Sequence, residues 1–123
     1  MAEQKALYID GNGVTTTYTV VTTNPSDTND VIGEYAQASS EHMNDALAAA
    51  NRAVGEWGVF PMETRYQVLM ASGNWLIERS AELGELLARE EGKTRAEGVG
   101  EVYRSGQFFH YFAAEVHRQI DDR

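Results

Sequence analysis

The sequence predicts an α+β fold: a short N-terminal β arm followed by four helices. Three observations predict it. Composition changes near Ala38, from a stretch rich in Thr, Val, Tyr, Gly, Asn and Asp to one rich in Ala, Leu, Glu and Arg. Turn pairs, Asp10-Gly11 and Asn12-Gly13, sit between β-branched runs in the first part. In the second part, apolar residues recur at steps of three and four, the period of a helix with one covered face.

In the arm, Leu7-Tyr8-Ile9 reads as a short strand. Asn, Asp and Gly tolerate the positive φ of tight hairpins, so Asp10 to Gly13 is the turn region. Thr15 to Val21 is rich in β-branched residues and is expected to be the return strand. Asn24-Pro25-Ser26-Asp27 breaks it, and Val31 to Ala36 is expected to be a third short strand. So few large apolar residues cannot bury much area, so the arm is expected to pack on something else.

The first helix spans about Ser40 to Trp57, with Met43, Ala46, Leu47, Ala50, Val54 and Trp57 as its stripe and Ser39 or Ser40 as its cap. The second opens at Pro61, a favoured first-turn residue, and carries Val68, Leu69, Trp75, Leu76 and Ile77. The third starts after Ser80, turns Leu83, Leu86 and Leu87 inward, and ends at Gly92, a left-handed cap. The fourth begins at Thr94, where Thr94 and Glu97 fit a capping box. Its expected inner face is Val99, Val102, Tyr103, Phe109 and Ala113, widened by Phe108, Phe112 and Val116. The organisation read from this is a β arm, 1–38, and a helical block, 39–123.

The 123 residues carry 10 cationic and 19 acidic side chains, a net charge of −9. Phosphates need a cationic surface, so neither nucleic acid nor an anionic membrane is an expected partner. Lys5 and Lys93 are the only lysines. High acid with little lysine fits a salt-loving source or an ordinary acidic cytoplasmic protein. No cysteine is present, which removes disulfides, thiolate metal sites and cysteine nucleophiles from these residues. No signal peptide is expected at the N-terminus. No run approaches the roughly 20 apolar residues of a membrane span.

Chemistry is sparse. His110 and His117 are seven apart and share a helix face, but a metal pair needs tighter spacing and a third ligand. Solvent-facing histidines are the expectation. Gly92-Lys93-Thr94 matches only the end of a phosphate loop, with Leu87 where a glycine is needed and a helix where a strand should be. Glu82, Glu85, Glu90, Glu91, Glu97 and Glu101 read as solvated helix surface. No serine sits in a nucleophile turn.

The order of motifs resembles the start of the NAD(P)-dependent aldehyde dehydrogenase superfamily. Tyr8-Ile9-Asp10-Gly11 is similar to its opening strand and turn. Asn24-Pro25 followed by Val31-Ile32-Gly33-Glu34 is similar to the segment the family writes as NP-x-TGE-x-IG. Trp57, Pro61 and Arg65 fall where it places Trp, Pro and Arg. Arg89-Glu90-Glu91-Gly92-Lys93-Thr94, with Glu97 and Glu101, is the most specific match, and Tyr111-Phe112-Ala113-Ala114-Glu115 closes the series. Departures are Asn12-Gly13-Val14 where a tryptophan is usual, a longer Ser26–Asp30 turn, and Ala114 in place of a common glycine.

The resemblance implies an N-terminal fragment of an enzyme that oxidises aldehydes to carboxylates, a semialdehyde being one option. Its α/β fold would place both segments in the N-terminal cofactor-binding domain. It implies NAD or NADP, a cysteine nucleophile, a glutamate base and an oxyanion-hole asparagine, all beyond Arg123, and so no activity for this chain alone. It implies the remainder of that fold, or another subunit, as partner, and an exposed apolar face where that partner sits. It implies a structural cation held by Glu90 and the backbone carbonyl near Thr22, the other reading of Glu90 being an exposed helix glutamate. It also places Arg104 and Gln107 near the mouth of the aldehyde channel, where arginine suits a carboxylate-tailed substrate. An ordinary surface role is the other reading of that pair. The competing hypothesis is a free-standing helical interaction module.

Overall fold

A computed structural model describes residues 4–118. The chain forms two compact units, one ending at Val59 and the other beginning at Phe60. The composition change at Ala38 marks where strands give way to helices; the first helix groups with the strands in the first unit.

In the first unit, β2 (Leu7–Ile9) and β3 (Asn12–Val14) make a two-stranded hairpin in which Leu7 faces Val14 and Ile9 faces Asn12. The turn is Asp10-Gly11, with φ of 52° and 77°. Both central residues of a type I′ turn need positive φ, and its twist suits a hairpin. The second turn pair, Asn12-Gly13, lies within β3.

The expected return strand at Thr15–Val21 does not form as one piece. β4 (Thr19–Asn24) instead belongs to a separate sheet of order β1-β5-β4, with β5 spanning Asp27–Ala36 and β1 being Gln4–Lys5. The reason lies in the residues between β3 and β4. Thr16 meets a side chain there instead of a ladder partner: its N–H donates to Gln4 Oε1 (3.3 Å), and Gln4 Nε2 donates to its carbonyl (3.0 Å).

β5 contains the expected Val31–Ala36 strand and starts four residues earlier. Pro25-Ser26 turns the chain between β4 and β5, with Asn24 Oδ1 accepting the Ser26 N–H at 2.9 Å. β1 pairs with β5 in parallel, Gln4 opposite Glu34.

α1 (Ser40–Val59) has no buried residue. Its stripe was expected inward, yet Met43, Leu47 and Val54 are 58%, 56% and 67% exposed. Spacing correctly groups these residues on one face, but the described residues supply no cover for it. An ion pair from Arg52 Nη2 to Asp10 Oδ2 (2.9 Å) ties the helix to the hairpin turn.

The second unit is three helices: α2 (Met62–Glu78), α3 (Ser80–Glu91) and α4 (Arg95–Arg118). Pro61 sits one residue ahead of α2, and its carbonyl accepts the Thr64 and Arg65 N–H groups. Gly92 ends α3 at φ 73° in the left-handed region, as expected. Thr94 and Glu97 complete the capping box: Thr94 N–H reaches Glu97 Oε2 at 3.0 Å and Glu97 N–H reaches Thr94 Oγ1 at 3.3 Å. The Thr94 hydroxyl also donates to Glu97 Oε2 at 2.7 Å, and that bond first, with the Thr94 N–H bond second, holds the Glu97 carboxyl below the usual carboxylate range.

α4 packs against both α2 and α3. Its buried residues are Gly98, Val102, Gly106 and Ala113. Of the expected inner face, Val102 and Ala113 are buried, whereas Tyr103, Phe108, Phe109 and Phe112 are substantially exposed. Two glycine crossings explain the difference. A Cβ on Gly106 would lie 2.8 Å from the Gly73 carbonyl oxygen, and one on Gly98 would collide with the Gly84 carbonyl oxygen. The helices meet backbone to backbone at these glycines, so the seams themselves have no room for the large aromatic side chains.

Candidate functional site

Glu90 lies on α3, half-buried, in a groove otherwise lined by Leu76, Leu83, Leu86, Leu87, Val102 and Ser105. Glu90 is the one carboxylate in that lining, with the Ser105 side chain as the other polar group; a hard cation takes oxygen donors, and leucines supply none. Thr22 belongs to the first unit, on β4 opposite Gly33. The ladder slips immediately after it: Thr23 pairs with Val31, and Ile32 is the extra residue of a bulge on β5. Among the described residues, no three His, Cys, Asp or Glu side chains gather into a metal-binding group. A cation at Glu90 would therefore rely on backbone carbonyls or water for its other oxygens.

Arg104 and Gln107 are brought together, exposed and one turn apart on α4. Arg104 lines a shallow groove with Lys93, Glu97, Gly100 and Glu101. Lys93 is its electrostatic centre. Its Nζ lies 2.5 Å from Glu101 Oε2 and 2.7 Å from Glu91 Oε2. Those two carboxylates, Glu101 first, raise the ammonium above the usual lysine range. The groove thus presents one cation already shared by two carboxylates and a second, Arg104, at its edge. Several of the glutamates read as plain solvated surface have such defined partners, including Glu82, which chelates Arg79 through both oxygens.

The histidines differ from the sequence expectation. His110 and His117 do share a face of α4, but that face meets α2 rather than solvent alone. His110 Nε2 is 2.9 Å from Asn74 Oδ1, and the ring occupies space that a Cβ on Gly73 would take. The His117 ring lies 4.9 Å from that of Tyr66, tilted by 49°, with its Nε2 3.9 Å from Glu63 Oε2. Asn74 was not singled out from sequence; a polar residue one position from a helix-interior glycine is a weak signal by itself. His42 acts at the start of α1, where Ser39 is the capping residue.

An open apolar groove of about 470 Å³ runs between α2 and α4, lined by Ala71, Ser72, Trp75, Leu76 and Phe109. Arg79 covers one side of Trp75, its guanidinium carbon 4.4 Å from the ring centroid. Taken together, these residues offer a half-buried carboxylate, a mixed-charge groove and broad apolar surfaces. They hold no thiolate, because the chain has no cysteine.

Comparison with known proteins is consistent from end to end. The family model described as "Aldehyde dehydrogenase family" matches residues 12–123. The chain is 40% identical over 121 residues to the alpha-ketoglutarate semialdehyde dehydrogenase of Haloferax volcanii, an alignment covering 94% of this chain and 24% of the relative. A point mutant of the 1-pyrroline-5-carboxylate dehydrogenase of Thermus thermophilus superposes with a TM-score of 0.92 at 30% identity, over 98% of this chain and 23% of that one. The NADP-dependent glyceraldehyde-3-phosphate dehydrogenase of Bacillus halodurans, solved with NADP, gives a TM-score of 0.87 at 27% identity, over 92% and 24%. The chain spans about a quarter of the length of the relatives it matches.

Proposed function

The chain belongs to the aldehyde dehydrogenase family, and on that premise we propose that it serves as the N-terminal part of a cytoplasmic, NAD(P)-dependent enzyme that oxidises a semialdehyde to the carboxylate. The observation that carries the reading is the 40% identity, over 94% of the chain, with a semialdehyde dehydrogenase. The absence of cysteine supports the corollary that these residues alone do not turn over aldehyde, since the thiolate that attacks the carbonyl must come from elsewhere. NAD(P), when bound, supplies the hydride acceptor. What these residues contribute is packing, a rigid helical support and a share of the substrate approach. The exposed apolar residues of α1 and α4 support contact with the remainder of such an enzyme or with a second subunit. Among the described residues, no helix is long and apolar enough to cross a membrane.

Two site assignments belong to the same proposal. Arg104, with Gln107 beside it, meets the carboxylate tail of the substrate as it enters; an exposed guanidinium at a groove edge supports that role. Glu90 supplies a carboxylate ligand to a structural cation; its half-buried place on α3 and the preference of hard cations for oxygen donors support it. The backbone carbonyl near Thr22, beside the ladder irregularity of β4, is a candidate cation ligand within its own unit.

The test is NAD(P)H formation at 340 nm, which needs no label. The enzyme carrying this segment oxidises a carboxylate-tailed semialdehyde, and the 123-residue chain by itself does not. In the enzyme, Arg104→Ala raises KM for the semialdehyde roughly 10-fold, the loss of one charge-assisted hydrogen bond, and leaves a neutral aldehyde unaffected. Turnover by the isolated chain refutes the division of labour. Equal effects on both aldehydes refute the role of Arg104.

A further inference from the structure

We propose that His42 is a proton-sensitive cap on α1, so that acid loosens the joint between β5 and the helix. The Ser39 N–H donates to His42 Nδ1 at 3.0 Å, and the His42 N–H donates to Ser39 Oγ at 3.3 Å. The Ser39 carbonyl accepts the Met43 N–H at 3.1 Å, which makes Ser39 the capping residue and His42 the third residue of the helix. This is a capping box in which an imidazole stands where glutamate or glutamine is usual.

A backbone N–H can only donate, so Nδ1 must carry its lone pair and the ring proton must sit on Nε2. Protonation puts a second N–H at Nδ1. The neighbouring Ser39 hydroxyl, 3.1 Å from Nδ1, can turn its lone pair to that new donor. The Ser39 N–H has no such option; it loses its acceptor and faces another donor. The imidazolium charge also sits at the positive end of the helix dipole. A glutamate in the same place would stay an acceptor across the neutral range.

Other titratable groups stand on α1 itself and on the strands of the same unit. Glu41 and Asp45 flank His42 on α1. β2, packed on α1, brings Tyr8, and the adjoining turn brings Asp10, which is paired with Arg52. β5 brings Glu34, bonded to Thr19, and its neighbour β1 brings Lys5. None of them changes which atom loses its acceptor when the ring takes a proton.

Nitrogen-15 NMR of the full chain reads the device directly. At neutral pH the ring nitrogens report the Nε2–H tautomer. As the ring takes its proton, the Ser39 amide resonance moves with the same midpoint, and its exchange, corrected for the intrinsic pH dependence, speeds roughly five-fold, the size of a lost cap. His42→Gln keeps an acceptor that does not titrate, so its Ser39 amide stays in place and protected over the same range. A wild-type Ser39 amide that ignores the ring's titration overturns the proposal. So does a ring with its proton on Nδ1 at neutral pH, or a His42→Gln chain whose Ser39 amide still moves.

Discussion

Replacing Gly106 by alanine, and separately Gly100, tests whether backbone-to-backbone crossings hold the helices of the second unit together. Both glycines are in α4, six residues apart, and alanine is favoured over glycine in a helix interior by about 1 kcal/mol. A Cβ on Gly100 meets nothing within 4 Å, so Gly100→Ala keeps that gain and stabilises the unit by about 0.5–1 kcal/mol. A Cβ on Gly106 would stand 2.8 Å from the Gly73 carbonyl oxygen and 2.6 Å from Ile77 Cγ1. Comfortable contact needs about 3.5 Å. Ile77 can change rotamer, but the carbonyl belongs to the α2 backbone, so the helices must separate. Overpacking of this kind costs about 1–3 kcal/mol, which outweighs the propensity gain and leaves a net loss of about 1 kcal/mol. Urea unfolding followed by far-ultraviolet circular dichroism should show the two midpoints moving in opposite directions, about 2 kcal/mol apart after multiplication by the slope. A Gly106→Ala chain as stable as Gly100→Ala would mean that the crossing is loose and the reasoning wrong.

Three further outcomes are expected. Glu97 has a lowered carboxyl in the fold, so its cap is fully present above the ordinary carboxylate range and is lost as pH falls through the lowered value; the Thr94 amide resonance, followed into acid, should shift only at that late stage, and in Glu97→Gln it should not titrate. Arg79→Ala removes both the cation over Trp75 and the chelation of Glu82, so tryptophan emission should shift to the red with little change in unfolding midpoint; an unchanged spectrum would place the guanidinium elsewhere in solution. The isolated chain should brighten 1-anilinonaphthalene-8-sulfonate through its exposed α1 and α4 residues, and Phe108→Ser with Phe112→Ser should dim it; no dye binding would show that these faces close on themselves.

Local signals made the helix ends legible. The Thr94/Glu97 box, Gly92 and the Asp10-Gly11 turn each act within four residues, and each is where the sequence indicates. Pairings over long range were not legible: nothing near Gln4 names Glu34 as its partner, and nothing in Thr15–Val21 reveals that Thr16 is satisfied by Gln4. On α4, apolar spacing locates a stripe without saying what covers it, and Tyr103, Phe108, Phe109 and Phe112 are exposed. The better signal was glycine. Gly73, Gly84, Gly98 and Gly106 each weaken a helix, and four such residues imply close approach. For the candidate site, Glu90, Thr22, Arg104 and Gln107 carry no local mark that separates them from other surface residues. They stood out through resemblance to relatives, because ligand sets assembled from distant segments leave no spacing in the chain.

The glycine seams also bear on how the second unit can move. Helices that touch through bulky side chains slide by rotamer exchange, one tooth at a time. Where main chain rests on main chain at Gly73/Gly106 and again at Gly84/Gly98, there are no teeth to exchange. Residues 60–118 should behave as a stiff raft, so that a push on the phenylalanines of α4 tilts Trp75 and Arg79 with it, and one tryptophan signal reports the displacement of all three rods.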